Sequence, residues 1–421
     1  MKPSLQTRLA SFLILKDVFE KKITVPLAFS KCKVMADLSP VDAKFVRMIV
    51  LTTLRHYGQS KEILKKFLKK KLSGKKKDVE FVLIMAVVQL KFLKTPPHAV
   101  VDTAVELIKH LKQKHFAPLV NAVLHSVSKD EAELPDILTN LPDWLKEKWS
   151  KCFSEDKIRE LLLYFNTDPY LDISVQSNPN EWADRLNASL LETGTLRCHF
   201  TEDVSLLDGF KEGKWWVQEA SAGLPSLLFS SVKGLKGADL CSAPGGKTAQ
   251  LVARGAFVDA YDISENRLKK LKENLVRLHI EDKVQVICSD ALEINGEEKY
   301  DFVLLDAPCS ATGTMKRHPE LMFLRTKEDI ERLSQLQYQL LEKAVSLVKS
   351  GGELVYSTCS LEPEENEFLI QSFLAEHPEV CRLTPKNEVL KSFLNEFGAV
   401  EVIPSKTVLQ DGFYAVLLKK R

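Results

Sequence analysis

The sequence lacks closely spaced cysteine pairs. Its 421 residues include eight cysteines, but none of them form a Cys-x-x-Cys motif or a tight cluster. This spacing argues against a structural zinc site and against the disulfide framework of a small secreted domain. We therefore expect reduced thiols, no bound metal and a cytoplasmic location.

Long apolar runs and low-complexity tracts are also missing. The apolar stretch Leu9 to Leu15 stops at Lys16 and Asp17, so it is too short for a membrane span and does not fit a signal peptide. Hydrophobic residues make up 45% of the chain and charged residues 28%, as in ordinary soluble proteins. This length and composition predict two or three folded domains and no membrane association.

The small net charge of +2 hides a strong asymmetry along the chain. Residues 1–130 contain 25 Lys and Arg against 10 Asp and Glu, a net +15, whereas residues 131–421 contain 34 against 47, a net −13. Nine lysines between Lys61 and Lys77 predict one amphipathic helix that supplies much of the positive charge. The basic end predicts a docking surface for a polyanion; a solvated lysine-rich surface is the alternative.

The apolar pattern divides the chain into four parts. We expect an all-helical domain, a helical linker, a small α+β subdomain and an α/β domain at residues 1–130, 131–150, 151–210 and 211–421. Within them, Pro96-Pro97 marks a helix boundary, because proline lacks the amide donor that a helix interior needs. Leu171 to Gln176 is the clearest strand of the third part.

Short buried apolar runs alternate with helices in the last part, which is typical of a doubly wound parallel sheet. The expected strands are Ala238 to Ser242, Phe257 to Ile263, Val284 to Cys288, Tyr300 to Asp306, Glu353 to Ser357 and a late antiparallel pair around Glu401 and Phe413 to Leu418. The expected helices are Lys247 to Arg254, Glu265 to Leu278, Lys327 to Lys349 and Glu364 to Glu376. Ligands of such sheets bind at the carboxyl ends of the strands.

A glycine turn joins the first of these strands to its helix. The turn reads Asp239-Leu240-Cys241-Ser242-Ala243-Pro244-Gly245-Gly246-Lys247-Thr248. It allows backbone to approach a nucleotide-like ligand, but Cys241 stands where a Walker A motif needs glycine, and the GxGxxG spacing is absent. Taken alone, a Pro-Gly-Gly turn is structural more often than functional.

Acidic residues follow the next two strands. Asp262 ends the second strand, where an acid can accept both ribose hydroxyls of an adenosine cofactor. Asp290 follows the third strand and either approaches the adenine edge or caps a helix. Arg267 is more typical of a surface ion pair than of a ligand.

Two cysteines stand at equivalent strand ends. Cys309 follows the fourth strand in Asp306-Ala307-Pro308-Cys309-Ser310, and Cys359 follows the fifth in Ser357-Thr358-Cys359-Ser360. A buried cysteine is usually inert packing, but this pair lies beside Asp306 and the expected nucleoside pocket. The pair therefore favours thiol chemistry.

Methylation of cytosine at carbon 5 needs such a thiol. Carbon 5 is a poor nucleophile until a thiolate adds to carbon 6. Asp306 suits a hydrogen bond to ring nitrogen 3, and a second group such as Cys309 suits removal of the carbon 5 proton and release of the product. Spacing alone does not decide which cysteine attacks.

Residues 210–421 resemble the Sun/NOL1/NOP2 family of RNA cytosine-5 methyltransferases, through the motifs CSAPGGK, DAPCSATGTMKRHPE, STCSLEPEEN and DGFYAVLLKK. The resemblance implies a class I, Rossmann-like domain with a mostly parallel seven-stranded sheet, S-adenosylmethionine as cofactor, Cys359 as nucleophile and Cys309 as the release residue. The candidate cofactor-binding residues are Cys241, Ser242, Ala243, Pro244, Gly245, Gly246, Lys247, Asp262, Arg267, Asp290 and Asp306.

The N-terminal domain resembles the NusB-type RNA-binding fold, through PPHAVVDTAVELIK and APLVNAVLHSV. Together the two resemblances imply a cytosine of 16S ribosomal RNA, free or in a small-subunit assembly intermediate, as substrate of a monomer without an obligate protein partner. The chain departs from the family pattern at Glu219, often aspartate, and at DISVQSNPN, which replaces the usual Arg-Val-Asn run and puts RNA contacts of the small subdomain in doubt.

Several alternatives remain open on sequence alone. The substrate is a transfer RNA in one of them, and in another the protein is a non-catalytic ribosome-assembly or antitermination factor. Trp215 and Trp216 either stack on a base or, more often in such positions, pack in the core. Lys316, Arg317 and His318 either contact RNA phosphates or lie in an exposed loop.

Overall fold

The computed structural model describes residues 2–70, 72, 76–198 and 203–421. The chain forms two compact units, which we call the helical unit (Met1–Thr167 with Met315–Thr326) and the α/β unit (Asp168–Thr314 with Lys327–Arg421). The finer division at residues 130, 150 and 210 stays a prediction. Within the described residues, no helix is both long and apolar enough to cross a membrane.

Helices make up the N-terminal part of the helical unit. They are α1 (Pro3–Lys21), α2 (Val25–Lys31), α3 (Pro40–Arg55), α4 (Tyr57–Phe67), α5 (Lys77–Lys91), α6 (Pro97–His110), α7 (Ala117–Lys129), α8 (Asp143–Trp149) and α9 (Glu155–Phe165). Pro97 occupies the first turn of α6, which confirms the predicted boundary. Helix α5 is buried continuously from Phe81 to Leu90, as expected for the central helix of a bundle.

The lysine-rich segment is not one helix. Helix α4 ends at Phe67, and Leu68 adopts an extended conformation with φ −103° and ψ 113°. Leu68 packs against the core of the unit, which turns the chain away from the helix axis. The prediction of a single helix from Lys61 to Lys77 is therefore wrong, and Lys71 and Lys75 lie outside the described residues.

A later segment, Met315–Thr326, packs within the helical unit. The amide of Val25 donates to Oε1 of Glu320 over 3.1 Å. The ring of Phe323 lies 5.1 Å from that of Phe19, centroid to centroid. This segment follows the Cys309 motif in sequence but belongs to the core of the N-terminal helices.

The same segment buries a lysine expected to be exposed. Lys316 is 1% exposed, and its Nζ lies 4.2 Å from the centroid of the Tyr164 ring. Arg55 donates to the carbonyl of Lys316 over 2.8 Å. Both sequence-based alternatives, contact with RNA phosphates and an exposed loop, are wrong for Lys316, whereas Arg317 is exposed and His318 is half-buried.

The α/β unit begins with a small antiparallel sheet. Its elements are β1 (Leu171–Val175), α10 (Pro179–Arg185), β2 (Ser189–Leu190), β3 (Leu196–Cys198) and β4 (Trp215–Val217), with the strand order β2-β3-β1-β4. Trp215 and Trp216 are 0% and 4% exposed, which confirms the core-packing alternative. Trp215 packs with Trp182 in the small core of this sheet, whereas Trp216 packs in a core of the main sheet.

The main sheet follows. The remaining elements are α11 (Leu224–Leu228), β5 (Lys236–Leu240), α12 (Gly246–Ala253), β6 (Phe257–Asp262), α13 (Glu265–Leu278), β7 (Val284–Cys288), β8 (Tyr300–Asp306), α14 (Leu321–Leu324, in the helical unit), α15 (Lys327–Leu347), β9 (Val348–Thr358), α16 (Glu367–Glu376), β10 (Val380–Leu383), β11 (Val400–Val402) and β12 (Phe413–Lys420). Among the described residues, seven strands lie in the order β10-β12-β9-β8-β5-β6-β7, and β11 pairs with β12 outside this row.

Strands β9, β8, β5, β6 and β7 are parallel. Strand β12 runs antiparallel to both of its neighbours, β9 and β10, so β10 has the direction of the parallel strands. The predicted mostly parallel, Rossmann-like sheet is confirmed. Its apolar side chains alternate between two cores, one on each face.

Two local differences from the expected elements have a physical reason. Strand β5 ends at Leu240 because Cys241 adopts a left-handed conformation with φ 63°. The expected helix from Glu364 divides at Asn366, whose side chain accepts from Thr358 and donates to the carbonyl of Ser360. The strand β10 had no counterpart in the sequence-based prediction.

Candidate active site

The carboxyl ends of the parallel strands meet along one edge of the main sheet. The register pairs Leu240 of β5 with Tyr261 of β6, and Asp306 of β8 with Ser357 of β9. The residues that follow each strand therefore converge on one cleft region. This edge is where open α/β sheets bind their ligands.

The glycine turn is anchored to the end of β6. Ser242 donates its hydroxyl to the carbonyl of Tyr261 over 3.1 Å, and the amide of Ala243 donates to Oδ2 of Asp262 over 3.2 Å. Gly245 has φ 100°, a conformation that L side chains rarely adopt, and it precedes the first turn of α12. The turn thus presents backbone at a helix N-terminus.

Asp262 is the most constrained of the candidate ligands. It is 2% exposed and accepts from the amide of Ser264 over 2.9 Å. Arg267 Nη1 lies 3.1 Å from Oδ2 of Asp262, and Nη2 of Arg267 donates to the carbonyl of Ala243. Arg267 thus forms an ion pair, as predicted, and its contact with a cofactor stays a prediction.

Asp290 caps a short turn. Its Oδ1 accepts from the amide of Leu292 over 3.0 Å, at the start of a 3₁₀ turn from Ala291 to Glu293. The capping alternative is therefore present in the structure. Contact of Asp290 with an adenine edge stays a prediction.

Lys247 and Asp306 form an ion pair across the cleft edge. Lys247 Nζ lies 2.7 Å from Oδ2 of Asp306, and Ser357 donates to Oδ1 of the same carboxylate over 3.2 Å. Burial lowers the pKa of Lys247, but the charge and hydrogen bond of Asp306 outweigh this effect and raise it. Lys247 is therefore a charged ammonium that holds Asp306 in place.

The two predicted thiols are in contact. Cys309 Sγ lies 3.4 Å from Cys359 Sγ, and both residues are partly exposed. The hydrogen bond to Cys359, together with burial, raises the pKa of the Cys309 thiol well above its ordinary value, and the charge of Glu365 adds to the effect. Cys309 therefore keeps a proton that it can share with the Cys359 sulfur.

A third thiol at the same edge behaves differently. Burial, followed by the nearby carboxylates Asp306 and Asp262, raises the pKa of Cys241 to about 12. A thiol in this environment stays neutral near pH 7 and is a poor nucleophile. Cys241 is thus not a competitor for the attacking role.

The sequence reasoning missed a buried carboxylate beneath the two thiols. Glu365 is 0% exposed and accepts from the hydroxyls of Ser310 and Ser360, which directly follow Cys309 and Cys359. The repeated Cys-Ser pair and the buried acid after it were visible in the sequence. Only the fold shows that the three side chains meet.

Glu219, one of the departures from the family pattern, retains a carboxylate function. Its Oε1 accepts from the amide of Asp411 over 2.9 Å, and its Oε2 accepts from the amide of Ser221 over 2.8 Å. The side chain therefore joins the loop after β4 to the loop before β12.

Two family models match the chain. Residues 233–419 match the model described as 16S rRNA methyltransferase RsmB/F, and residues 5–129 match the NusB family. A ribosomal RNA small subunit methyltransferase B of Klebsiella pneumoniae is 33% identical over 405 residues, covering 91% of this chain and 92% of that protein. The chain belongs to the RsmB/F family. It is an S-adenosylmethionine-dependent rRNA methyltransferase, with a NusB domain at its N-terminus.

Further relatives cover from two thirds to all of the chain. The protein of the same name from Vibrio vulnificus is 30% identical over 444 residues, covering 99% of this chain and all of that protein. The crystal structure of PH0851 superposes with a TM-score of 0.80 at 25% identity, over 100% of this chain and 99% of that one. A methyltransferase homolog from Pyrococcus horikoshii has a TM-score of 0.55 at 28% identity, over 68% and 95%.

The donor set at the sheet edge fits this cofactor. The carboxylates of Asp262, Asp290 and Asp306 suit ribose hydroxyls and the cationic groups of S-adenosylmethionine, whose sulfonium and ammonium are both positive. The turn before α12 adds backbone at a helix N-terminus, which suits the carboxylate of the cofactor. The individual contacts remain proposals.

Proposed function

We propose that this methyltransferase modifies carbon 5 of a cytosine in 16S rRNA through a covalent adduct of Cys359 with carbon 6. The contact of the Cys309 and Cys359 sulfurs over 3.4 Å, at the ligand-binding edge of the sheet, is the observation on which the proposal rests. A methyltransferase that acts on an exocyclic nitrogen needs neither thiol. Two thiols beside Asp306 match the needs of carbon 5 chemistry.

The cofactor site lies between the glycine turn and the ends of β6 and β8. Residues 241–247 bind the cofactor with their backbone, Asp262 binds its ribose and Asp290 approaches its adenine. The bound cofactor supplies an electrophilic methyl group on a positively charged sulfur. Arg267 holds Asp262 and the carbonyl of Ala243 in place.

Adduct formation needs an attacking sulfur and a partner for the ring nitrogen. The Cys359 thiolate bonds to carbon 6, and the electron pair of the 5,6 double bond moves to carbon 5. There it would form the bond to the methyl group, while the cofactor's sulfur would keep the electron pair of the broken bond. Asp306 must share a proton with nitrogen 3 to stabilise this adduct. The Lys247 ammonium, 2.7 Å from Asp306, is a proton donor in contact with it.

Release needs a base that loses its own proton only after the attack. Cys359 is the main cause of the high pKa of Cys309, through its hydrogen bond and its charge. Once the Cys359 sulfur is a neutral thioether, both effects weaken and the pKa of Cys309 falls. The Cys309 thiol then loses its proton to solvent and removes the carbon 5 proton, whose electron pair restores the double bond and expels Cys359.

RNA is bound by the basic helical unit and the sheet edge, with the target cytosine unstacked to reach the thiols. The substrate is free 16S rRNA or a small-subunit assembly intermediate. A monomeric state, the lack of an obligate protein partner and a cytoplasmic location stay predictions. Transfer RNA is the substrate to exclude by mapping 5-methylcytosine in cells that lack the protein.

Cysteine variants test this proposal. Cys359→Ala should bind the cofactor normally and transfer no labelled methyl group to small-subunit rRNA, because no adduct forms. Cys309→Ala should accumulate a protein–RNA adduct that survives a denaturing gel, because release is blocked. Methyl transfer by Cys359→Ala would disprove the covalent route, and Cys309→Ala without an adduct would disprove the release role.

A further inference from the structure

One buried carboxylate joins the two loops that present the thiols. Ser310, directly after Cys309, donates its amide to Oε1 of Glu365 over 2.8 Å and its hydroxyl to Oε2. Ser360, directly after Cys359, donates its hydroxyl to the same Oε2. The Ser310 and Ser360 hydroxyl oxygens themselves lie 3.0 Å apart.

Neighbouring groups hold Glu365 itself. Gln337 on α15 donates to Oε1 of Glu365 over 3.0 Å and to the carbonyl of Pro308 over 2.9 Å. Tyr356 donates its hydroxyl to the backbone carbonyl of Glu365 over 2.6 Å. The carboxylate is therefore fixed to the sheet, to α15 and to both thiol loops.

Burial of a carboxylate costs free energy unless hydrogen bonds compensate for lost water. Among the described residues, four groups donate to the Glu365 carboxylate: two serine hydroxyls, one backbone amide and one side-chain amide, all of them neutral. An apolar side chain or a direct serine–serine contact would fill the space between the two thiol loops without a buried charge. The charge therefore has a use beyond filling space.

We propose that Glu365 is a positioning residue that locks the Cys309 and Cys359 loops together through the serine that follows each cysteine. The lock sets the distance between the two sulfurs and hence the geometry of both attack and release. It rests on the proposed roles of the two thiols. The amide of Gly313, which donates to the carbonyl of Cys359 over 3.0 Å, provides a second link between the same loops.

The charge of Glu365 also acts on the Cys309 thiol. Its negative charge contributes to the raised pKa of Cys309, after the effects of Cys359 and burial. Removal of that charge should therefore shift Cys309 ionisation to lower pH. A residue with a purely structural role would leave this ionisation unchanged.

Glu365→Gln in the full-length enzyme tests the lock, since it keeps the shape and removes the charge. We expect kcat for rRNA methylation to fall about 10- to 100-fold with little change in cofactor affinity, because small misplacements of reacting groups have costs of this size. Glu367→Gln is the matched control. Glu367 is also a buried acid, but it pairs with Arg382 and Tyr414, away from the thiol loops.

Alkylation of Cys309 provides a readout that does not depend on methylation. In a Cys359→Ser background, the pH dependence of iodoacetamide labelling at Cys309, followed by peptide mass spectrometry, should shift to lower pH in Glu365→Gln and not in Glu367→Gln. This result does not require that Cys359 is the nucleophile. It therefore separates a failure of the lock from a failure of the proposed reaction.

Serine variants keep the test decisive if Glu365→Gln does not fold. Ser310→Ala and Ser360→Ala each remove one donor and retain the charge, so kcat should fall while the Cys309 labelling profile stays near that of the parent. The proposal would be overturned if both serine variants kept the wild-type kcat. It would also be overturned if Glu365→Gln matched Glu367→Gln in kcat and in the labelling of Cys309.

Discussion

At the scale of single residues, the distance between Cys309 and Cys359 has a consequence for oxidation. Two sulfurs 3.4 Å apart need to approach by little more than 1 Å to form a disulfide bond of about 2.05 Å. Hydrogen peroxide can accept the two electrons and two protons that the thiols lose, giving water. The geometry that we propose for catalysis therefore exposes the enzyme to reversible inactivation.

We expect brief peroxide treatment to abolish methyl transfer and dithiothreitol to restore it. Intact-protein mass spectrometry should show a loss of two hydrogens, and peptide mapping should join Cys309 to Cys359. Cys288 is an exposed cysteine away from this pair, and Cys288→Ser should leave the inactivation unchanged. Inactivation without the Cys309–Cys359 crosslink would contradict this expectation.

The buried carboxyl group of Asp239 should make the stability of the protein depend on pH. Burial raises its pKa to about 7, from an ordinary 3.8, although the hydrogen bond from Thr248 acts in the opposite direction. The folded state thus binds this proton more tightly than the unfolded state. The contribution of this protonation to the free energy of unfolding is complete below about pH 4 and is lost as the pH rises through about 7.

Asp239→Asn should remove this dependence, because the amide oxygen still accepts from Thr248 and no longer ionises. Urea unfolding at pH 5 and pH 8 measures it. Between these values the wild-type free energy of unfolding should decrease more than that of the variant, by an amount on the order of a few kcal/mol. An equal decrease in both proteins would show that Asp239 does not titrate in this range.

At the scale of elements, the sequence predicted what depends on local pattern. The bounds of α13, β7 and β8 match the prediction, because apolar periodicity and the flanking residues define them. The bounds of β5 and α16 differ, because apolar periodicity does not reveal the left-handed backbone of Cys241 or the hydrogen bonds of Asn366 to Thr358 and Ser360.

The candidate site divides in the same way. Cys309, Cys359 and Asp306 stood at strand ends, so topology alone brought them to one edge. The lock at Glu365 requires knowledge of how two loops and α15 pack, which no spacing in the sequence reveals. The burial of Lys316 was missed for the same reason, because its partner Tyr164 lies more than a hundred residues away.

The segment Met315–Thr326 is an element whose packing predicts a specific loss of stability. Met322 is 1% exposed, so Met322→Ala should lower the free energy of unfolding by about 2–5 kcal/mol through lost contacts and a cavity. Urea unfolding followed by circular dichroism measures this. Phe368→Ala is the control, because Phe368 is 60% exposed, and an equal effect of both would contradict the assignment.

At the scale of the whole molecule, charge is divided along the chain. The net +15 of residues 1–130 predicts RNA affinity that decreases steeply as salt rises. Lys65, Lys69 and Lys70 are exposed in this basic part. They are candidates for direct contact with phosphates.

Replacement of these three lysines by glutamine should flatten the plot of log affinity against log salt by up to about 2–3 units, since each phosphate contact contributes about 0.7–0.9. Filter binding of rRNA across salt concentrations measures the slope. The same change at Lys269, Lys270 and Lys272, exposed on α13, is the matched control. Equal slopes for the two variants would assign no special role in RNA binding to Lys65, Lys69 and Lys70.

The return of Met315–Thr326 to the helical unit gives the molecule an unusual covalent topology. The polypeptide passes between the units three times, after Thr167, after Thr314 and after Thr326. A protease that cuts one of these crossings breaks the chain in two, but the units stay joined through the other two crossings as long as each unit keeps its two chain segments packed together. A shortened protein that begins at residue 168 would likewise contain the twelve residues Met315–Thr326 without the apolar side chains of the helical unit against which they pack.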